Sequence, residues 1–229
     1  MKKILTTAIL CAGLVGFTAC DSFLDEDPKS SLTLDTYYKT SADIIGNVNY
    51  LYRDGAPDKM GNMTGAYRGS SLSVMNMVTG YFVNEYEGQE VDCSYARQLT
   101  RQDFTQSCCN YLTNDTWKSC YKSINVANAV IKYVDGVEMD NQAQYKAEAR
   151  FFRALNYFYL VKMFGDVPMV TEPTEDATLV EYPTRTAASE VFNTVIIPDL
   201  QFAVENLPNA TFAGNSHRVT KYAADMLLA

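Results

Sequence analysis

The chain has 229 residues, 27 acidic against 19 basic, a net charge of −8 and a single histidine. An acidic chain without a basic run is a poor nucleic-acid binder, because phosphate affinity comes from Lys and Arg. One histidine makes a metal site improbable on residue types alone, and P-loop, GxGxxG and HExxH patterns are all absent.

The first 19 residues read as a targeting segment. Lys2 and Lys3 form a positive start, and Ile4 to Phe17 is an apolar run too short for a stable bilayer span. Thr18, Ala19 and Cys20 follow in the layout of a bacterial lipoprotein signal cut before Cys20, the expected lipid-attachment residue. The alternative is an ordinary signal cut after Ala19. Cleavage removes Lys2 and Lys3 from the 19 basic residues and leaves 17 against 27 acidic, a net −10. Residues 20–40, opening Asp21-Ser22-Phe23-Leu24-Asp25-Glu26-Asp27-Pro28, read as an acidic tether.

The folded unit is expected over 41–229. Thr40-Ser41-Ala42-Asp43 has the pattern of a capping box, and Ile44, Ile45, Val48 and Tyr52 continue a helix to Asp54-Gly55. From Gly55 to about Asn110 periodicity fades into a glycine- and aromatic-rich stretch, read as loops with short helical pieces. A helix is predicted from about Asp115 to Val134, capped by Asn114, with Trp117, Cys120, Tyr121, Ile124, Ile131 and Val134 at helical spacing. After the polar connector Asp140-Asn141-Gln142 comes YKAEARFFRALNYFYLVKMF. It is apolar on nearly every side, its polar residues gather into no single stripe, and Gly165 and Pro168 end it. Such a helix is buried among several neighbours.

A further helix is predicted from Ala187 to Asn206, kinked or split at Pro198, with Val191, Val195, Ile196, Leu200, Ala203, Val204 and Leu207 inward. The last runs from about Val219, with Ala223, Met226 and Leu227 on its inner face, and reaches Ala229 without a stop signal. The fold class is therefore all-α, tetratricopeptide-like helix pairs with a long loop-rich insertion.

Several ordered motifs resemble the SusD/RagB family of nutrient-binding outer-membrane lipoproteins of Bacteroidetes. The longest is Glu148, Arg150, Phe151, Arg153, Ala154, Leu155, Tyr157, Phe158, Leu160 and Val161, followed by Gly165-Asp166-Val167-Pro168. Around it lie Cys20 with Phe23-Leu24-Asp25; Trp117, Tyr121, Ile124, Ala127 and Asn128; Pro183 and Arg185; and Ile196, Ile197, Asp199, Leu200, Ala203, Leu207 and Pro208. The resemblance implies the N-terminal part of a longer protein, since the Val219–Ala229 segment is similar to one near mid-chain in that family. It also implies glycan or oligosaccharide binding, delivery to a TonB-dependent SusC-type transporter, and an outer-membrane lipid anchor facing outward. Catalysis and cofactors are not implied. The alternatives are a surface glycoside hydrolase, whose two carboxylates no motif selects, and a truncated nonfunctional remnant.

Read as chemistry, the most recognisable residues belong to the scaffold. Trp117 sits in helical register with Tyr121 and Ile124 and is expected in the core. Arg150 and Arg153 need buried partners, for which Glu148, Asp166 and Asp199 are candidates. Asn128 is expected as a buried hydrogen-bonding residue, and His217 as a solvated turn residue. Cys93, Cys108, Cys109 and Cys120 fit buried thiols and one disulfide equally well. The candidate glycan-binding residues lie in the loop-rich stretch: Tyr67, Arg68, Tyr81, Asn84, Tyr86 and Tyr95, with Phe82, Glu85 and Gln89 beside them. Flat rings there would pack on the apolar faces of sugars while amides and carboxylates take the hydroxyls.

Overall fold

The computed structural model describes residues 33–53, 76–82, 98, 100–103, 107–175, 183–210 and 217–229. The described chain is helical. Its elements are α1 (Leu34–Tyr37), α2 (Ser41–Arg53), α3 (Ser107–Tyr133), α4 (Gln142–Phe164), α5 (Ala188–Val191), α6 (Ile197–Asn206) and α7 (Lys221–Leu228). Helix α3 packs along α4, α4 along α6, and α6 along α7, while α2 lies against both α3 and α4. These are two successive helix pairs with α2 covering the first, a tetratricopeptide-like arrangement.

The expected capping box starts α2. Asp43 Oδ2 accepts from the Thr40 amide at 2.8 Å and from its hydroxyl at 2.7 Å, and the Asp43 amide donates back to Thr40 Oγ1 at 3.4 Å. Those bonds from Thr40 favour the ionised carboxylate and hold Asp43 below the usual range. Ile44, Val48 and Leu51 then fall on one face and are fully buried. The packed chain begins before residue 41: Tyr38, inside the stretch read as tether, is buried in the core and stacks on Tyr133 with centroids 5.2 Å apart.

Helix α3 starts at Ser107 rather than Asp115, so Asn114 is an interior helical residue and not a cap. Residues 107–114 contain no Gly or Pro, and nothing in them stops a helix. The α3 end tightens into a 3₁₀ turn over Val134–Gly136. Its carbonyls are met from the next helix, where Gln142 Nε2 donates to Val134 O at 2.8 Å and Val137 O at 2.9 Å.

Helix α4 is the centre of the molecule. Tyr145, Ala149, Phe152, Ala154, Tyr157 and Leu160 are all buried although they point to different sides, as its stripe-free pattern implied. Gly165 ends it at φ +67°, a left-handed conformation that glycine adopts without a Cβ penalty, and its amide returns to Val161 O at 2.9 Å. Arg185 donates to Phe164 O and Asp166 O and so closes the open end of α4. Val167 and Thr186 form an antiparallel bridge, the only β pairing among the described residues.

The split expected at Pro198 takes a specific form. Proline has no amide to donate, and the helix accommodates this by widening into a π turn over Phe192–Ile196 before α6 resumes. Val191, Val195, Ile196, Leu200, Ala203 and Leu207 face inward as expected. In α7 the expectation needs correction. Ala224 is the buried residue, and Met226 is 84% exposed together with exposed Tyr222. Val219, Ala223 and Leu227 pack against the core as expected, and Met226, two residues from buried Ala224, falls on the other side of the helix.

Candidate functional site

Two buried polar clusters fix the scaffold that carries any site. In the first, Arg153 binds Asp199 through two parallel bonds, Nε to Oδ2 at 2.7 Å and Nη2 to Oδ1 at 2.9 Å. Its Nη1 donates to Asn128 Oδ1 at 2.9 Å, and Asn128 Nδ2 in turn reaches Val170 O and Glu172 O. Helices α3, α4 and α6 and the extended segment after Pro168 are thus tied by one arginine. Tyr157 reinforces that segment by accepting from the Val170 amide at 2.7 Å and donating to Val170 O at 2.8 Å, and burial pushes its hydroxyl up to about 12. Burial also raises Asp199 above the usual carboxylate range, against the opposing pull of Arg153 and Arg150.

Of the three acids expected as partners for Arg150 and Arg153, Asp199 serves both, with Arg150 at 3.7 Å and packed over Phe202. Asp166 instead accepts from the Ala188 amide at 3.0 Å and caps α5. Glu148 pairs with Arg218, a connection that no local pattern announces because the two lie 70 residues apart. Arg218 also donates to Asn49 Oδ1 at 2.8 Å, and its guanidinium lies over the Tyr145 and Tyr52 rings at 4.8 and 5.8 Å. Burial raises the Glu148 carboxyl to about 7, while Arg218 and the Tyr52 hydroxyl pull the other way. These charges are buried in the interior and paired with one another.

Trp117 is packed as expected, against Tyr121 at 5.0 Å and Phe164 at 5.1 Å, with Arg185 over its ring at 5.8 Å. His217 is exposed in the turn before Arg218. Cys120 is a fully buried thiol in α3, Cys108 and Cys109 fall in the first turn of that helix, and Cys93, like Cys20, lies outside the described residues.

One expected glycan-binding residue, Tyr81, falls among the described residues. Tyr67, Arg68, Asn84, Tyr86 and Tyr95 lie outside them, as do Glu85 and Gln89. Tyr81 sits just past a tight turn. Thr79 donates its hydroxyl to Asn76 O at 2.7 Å and accepts from the Tyr81 amide at 3.3 Å, and Gln102 Nε2 holds Val78 O at 3.2 Å. Gly80 supplies the required positive φ of +78°. The turn leaves Tyr81 90% exposed and Phe82 55% exposed. Two adjacent aromatic side chains are therefore offered to solvent on a hydrogen-bonded support. Covering one ring face of about 75 Å² stabilises a complex by about 2 kcal/mol.

A family model described as starch-binding associating with outer membrane matches residues 22–229. The chain belongs to the SusD-like family. SusD-like protein P2 of Formosa agariphila is 29% identical to it over 216 residues, 93% of this chain and 40% of that protein. A SusD-like carbohydrate-binding protein of Bacteroides fragilis has the same fold, with a TM-score of 0.66 at 20% identity over 84% of this chain and 37% of that one. A laminarin-binding SusD-like protein matches at a TM-score of 0.63 and 23% identity, over 83% of this chain and 39% of its own. The SusD-like chain spans about two fifths of the length of the relatives it matches.

Proposed function

We propose that this SusD-like chain belongs to a cell-surface lipoprotein that captures oligosaccharides and delivers them to a TonB-dependent SusC-type outer-membrane transporter. The observation that carries the reading is the exposed Tyr81–Phe82 pair on its braced turn, within a chain whose family is described as starch-binding and outer-membrane associated. In this reading residues 1–19 are the cleaved signal. Cys20 carries the lipid, and the acidic stretch after it is the tether. The rings take the apolar faces of the sugar, and Arg68, Asn84 and the other expected loop residues take hydroxyls. No bond is made or broken, and no cofactor is used.

Support also comes from what the strongest polar groups do. Arg153, Asp199, Glu148 and Arg218 are consumed in scaffold bonds, which leaves the aromatic loop region as the place for a ligand. A glycan array of plant, host and microbial oligosaccharides, probed with the wild-type chain, tests the reading. Binding to at least one class of oligosaccharide is expected, and silence across all three contradicts it.

A further inference from the structure

Among the described residues, Gly80, Gly165, Asn141 and Gln102 stand at positive φ. Glycine takes that conformation without a Cβ penalty, and asparagine tolerates it better than most side chains. Gln102, at φ +56°, is the departure. The backbone around it shows why a left-handed residue is needed. Gln98 and Thr100 are helical, and the Asp103 amide donates to Gln98 O at 2.9 Å. That bond is the Schellman closure of a helix end, and Gln102 occupies the left-handed position where glycine is usual. A long side chain is therefore kept at a strained backbone position.

The side chain supplies a reason. Gln102 Nε2 donates to Val78 O at 3.2 Å across 24 residues of chain, and the Thr100 hydroxyl meets Met77 Sδ at 4.0 Å. Val78 leads directly into the Thr79–Gly80 turn that presents Tyr81 and Phe82. Inside that turn the bonds are local, from Thr79 to Asn76 O and from the Tyr81 amide to Thr79. Local bonds shape the turn but do not fix where it points. The contacts from Gln102 and Thr100 tie it to a separate segment. Glycine at 102 would close the helix end with less strain and would lose that tie.

We infer that Gln102 is the positioning residue of the Tyr81–Phe82 turn: its amide, carried on a left-handed residue, fixes the direction in which the two rings are held. The pose does not depend on what the ligand is, and the consequence for binding rests on the carbohydrate reading above. A ring pair already aimed outward binds without first being ordered. Losing the brace lowers the population of the competent pose and weakens affinity by the same factor.

The test separates side chain from backbone at position 102. Gln102→Gly suits the left-handed backbone and removes the amide. Gln102→Glu keeps the shape and cannot donate, and Gln102→Lys restores a donor with sufficient reach. Nitrogen-15 relaxation of the Gly80 and Tyr81 amides reads the order of the turn, and calorimetric titration with laminarihexaose reads binding. Wild type and Gln102→Lys are expected to keep order parameters of about 0.85, and Gln102→Gly and Gln102→Glu to fall below about 0.6. Affinity should drop about fivefold in the Gly and Glu variants, the equivalent of one lost hydrogen bond, and return in the Lys variant. Gln102→Gly should meanwhile keep or raise the melting temperature, whereas a merely structural Gln102 predicts that glycine does as well or better in every readout. Unchanged order parameters in both the Gly and Glu variants overturn the proposal, as does lost order with unchanged affinity. Silence of the wild type toward laminarihexaose contradicts the ligand reading for that sugar and not the positioning, which the order parameters then decide.

Discussion

Removing Arg153 tests the account of the scaffold most sharply. Asp199 is 2% exposed and depends on Arg153 for both of its short bonds, since Arg150 is 3.7 Å away and its side chain is 26% exposed. Arg153→Met keeps much of the side-chain volume and leaves that carboxylate without its main partner. Breaking a buried pair from one side costs about 3–5 kcal/mol, a large share of the ~5–15 kcal/mol that holds a domain together. Replacing both partners, Arg153→Met with Asp199→Leu, removes the stranded charge. Asn128 then loses one acceptor contact, at about 1 kcal/mol, and keeps its bonds to Val170 O and Glu172 O. The double variant is therefore expected within about 2 kcal/mol of wild type and well above the single one. Urea unfolding followed by far-ultraviolet circular dichroism gives all three stabilities. A single-variant loss below about 1 kcal/mol, or a double variant no better than the single, refutes the reasoning.

Three other outcomes follow from particular residues. Glu148 has a folded value of about 7 against an ordinary 4.5, raised by burial. A raised carboxyl contributes stability that is complete below about pH 4.5 and is lost as pH climbs to about 7. At ~1.4 kcal/mol per pH unit this totals about 3 kcal/mol, and Glu148→Gln should flatten that part of a stability–pH profile. Gly165→Ala should cost about 1 kcal/mol from its positive φ alone, since a Cβ there meets no atom within 4 Å, and a lowered melting temperature reads it out. Gly46→Ala, in the exposed interior of α2 and equally free of neighbours, should instead raise stability by up to about 1 kcal/mol.

The parts of the fold that were legible in the sequence are those written in local chemistry. The Thr40–Asp43 box, the Gly165 stop and the all-round burial of α4 each depend on residues within a few turns of one another. Asn128 and Arg153 were readable as buried polar residues because both sit in apolar helical register, and Asp199 was among the acids expected to answer them. The misreadings have the same root. Asn114 looked like a cap because its type suits one, but nothing before it breaks the helix. Met226 was placed inward beside Ala223 and Leu227, although it stands two residues from buried Ala224 and so on the other side of the helix. What the sequence left hidden joins distant segments. Arg218 meets Glu148, Asn49 and Tyr52 only because the turn before α7 returns to α2 and α4, and Arg185 closes α4 from beyond the next loop. For the candidate site, aromatic composition marked the region, and the solvent-facing pose of Tyr81 depends on Thr79, Gly80 and Gln102 acting together.

The central claim is that this SusD-like chain binds oligosaccharide through aromatic rings held outward from a helical scaffold. Calorimetric titration of wild type and of Tyr81→Ala/Phe82→Ala, with an oligosaccharide that binds the wild type, tests it most directly. Both rings are largely solvent-exposed, so the double variant should keep the wild-type circular dichroism and melting temperature. Losing one stacked ring face, about 2 kcal/mol, should weaken binding roughly thirtyfold, and more where both rings stack. Unchanged affinity in a folded double variant would contradict the claim.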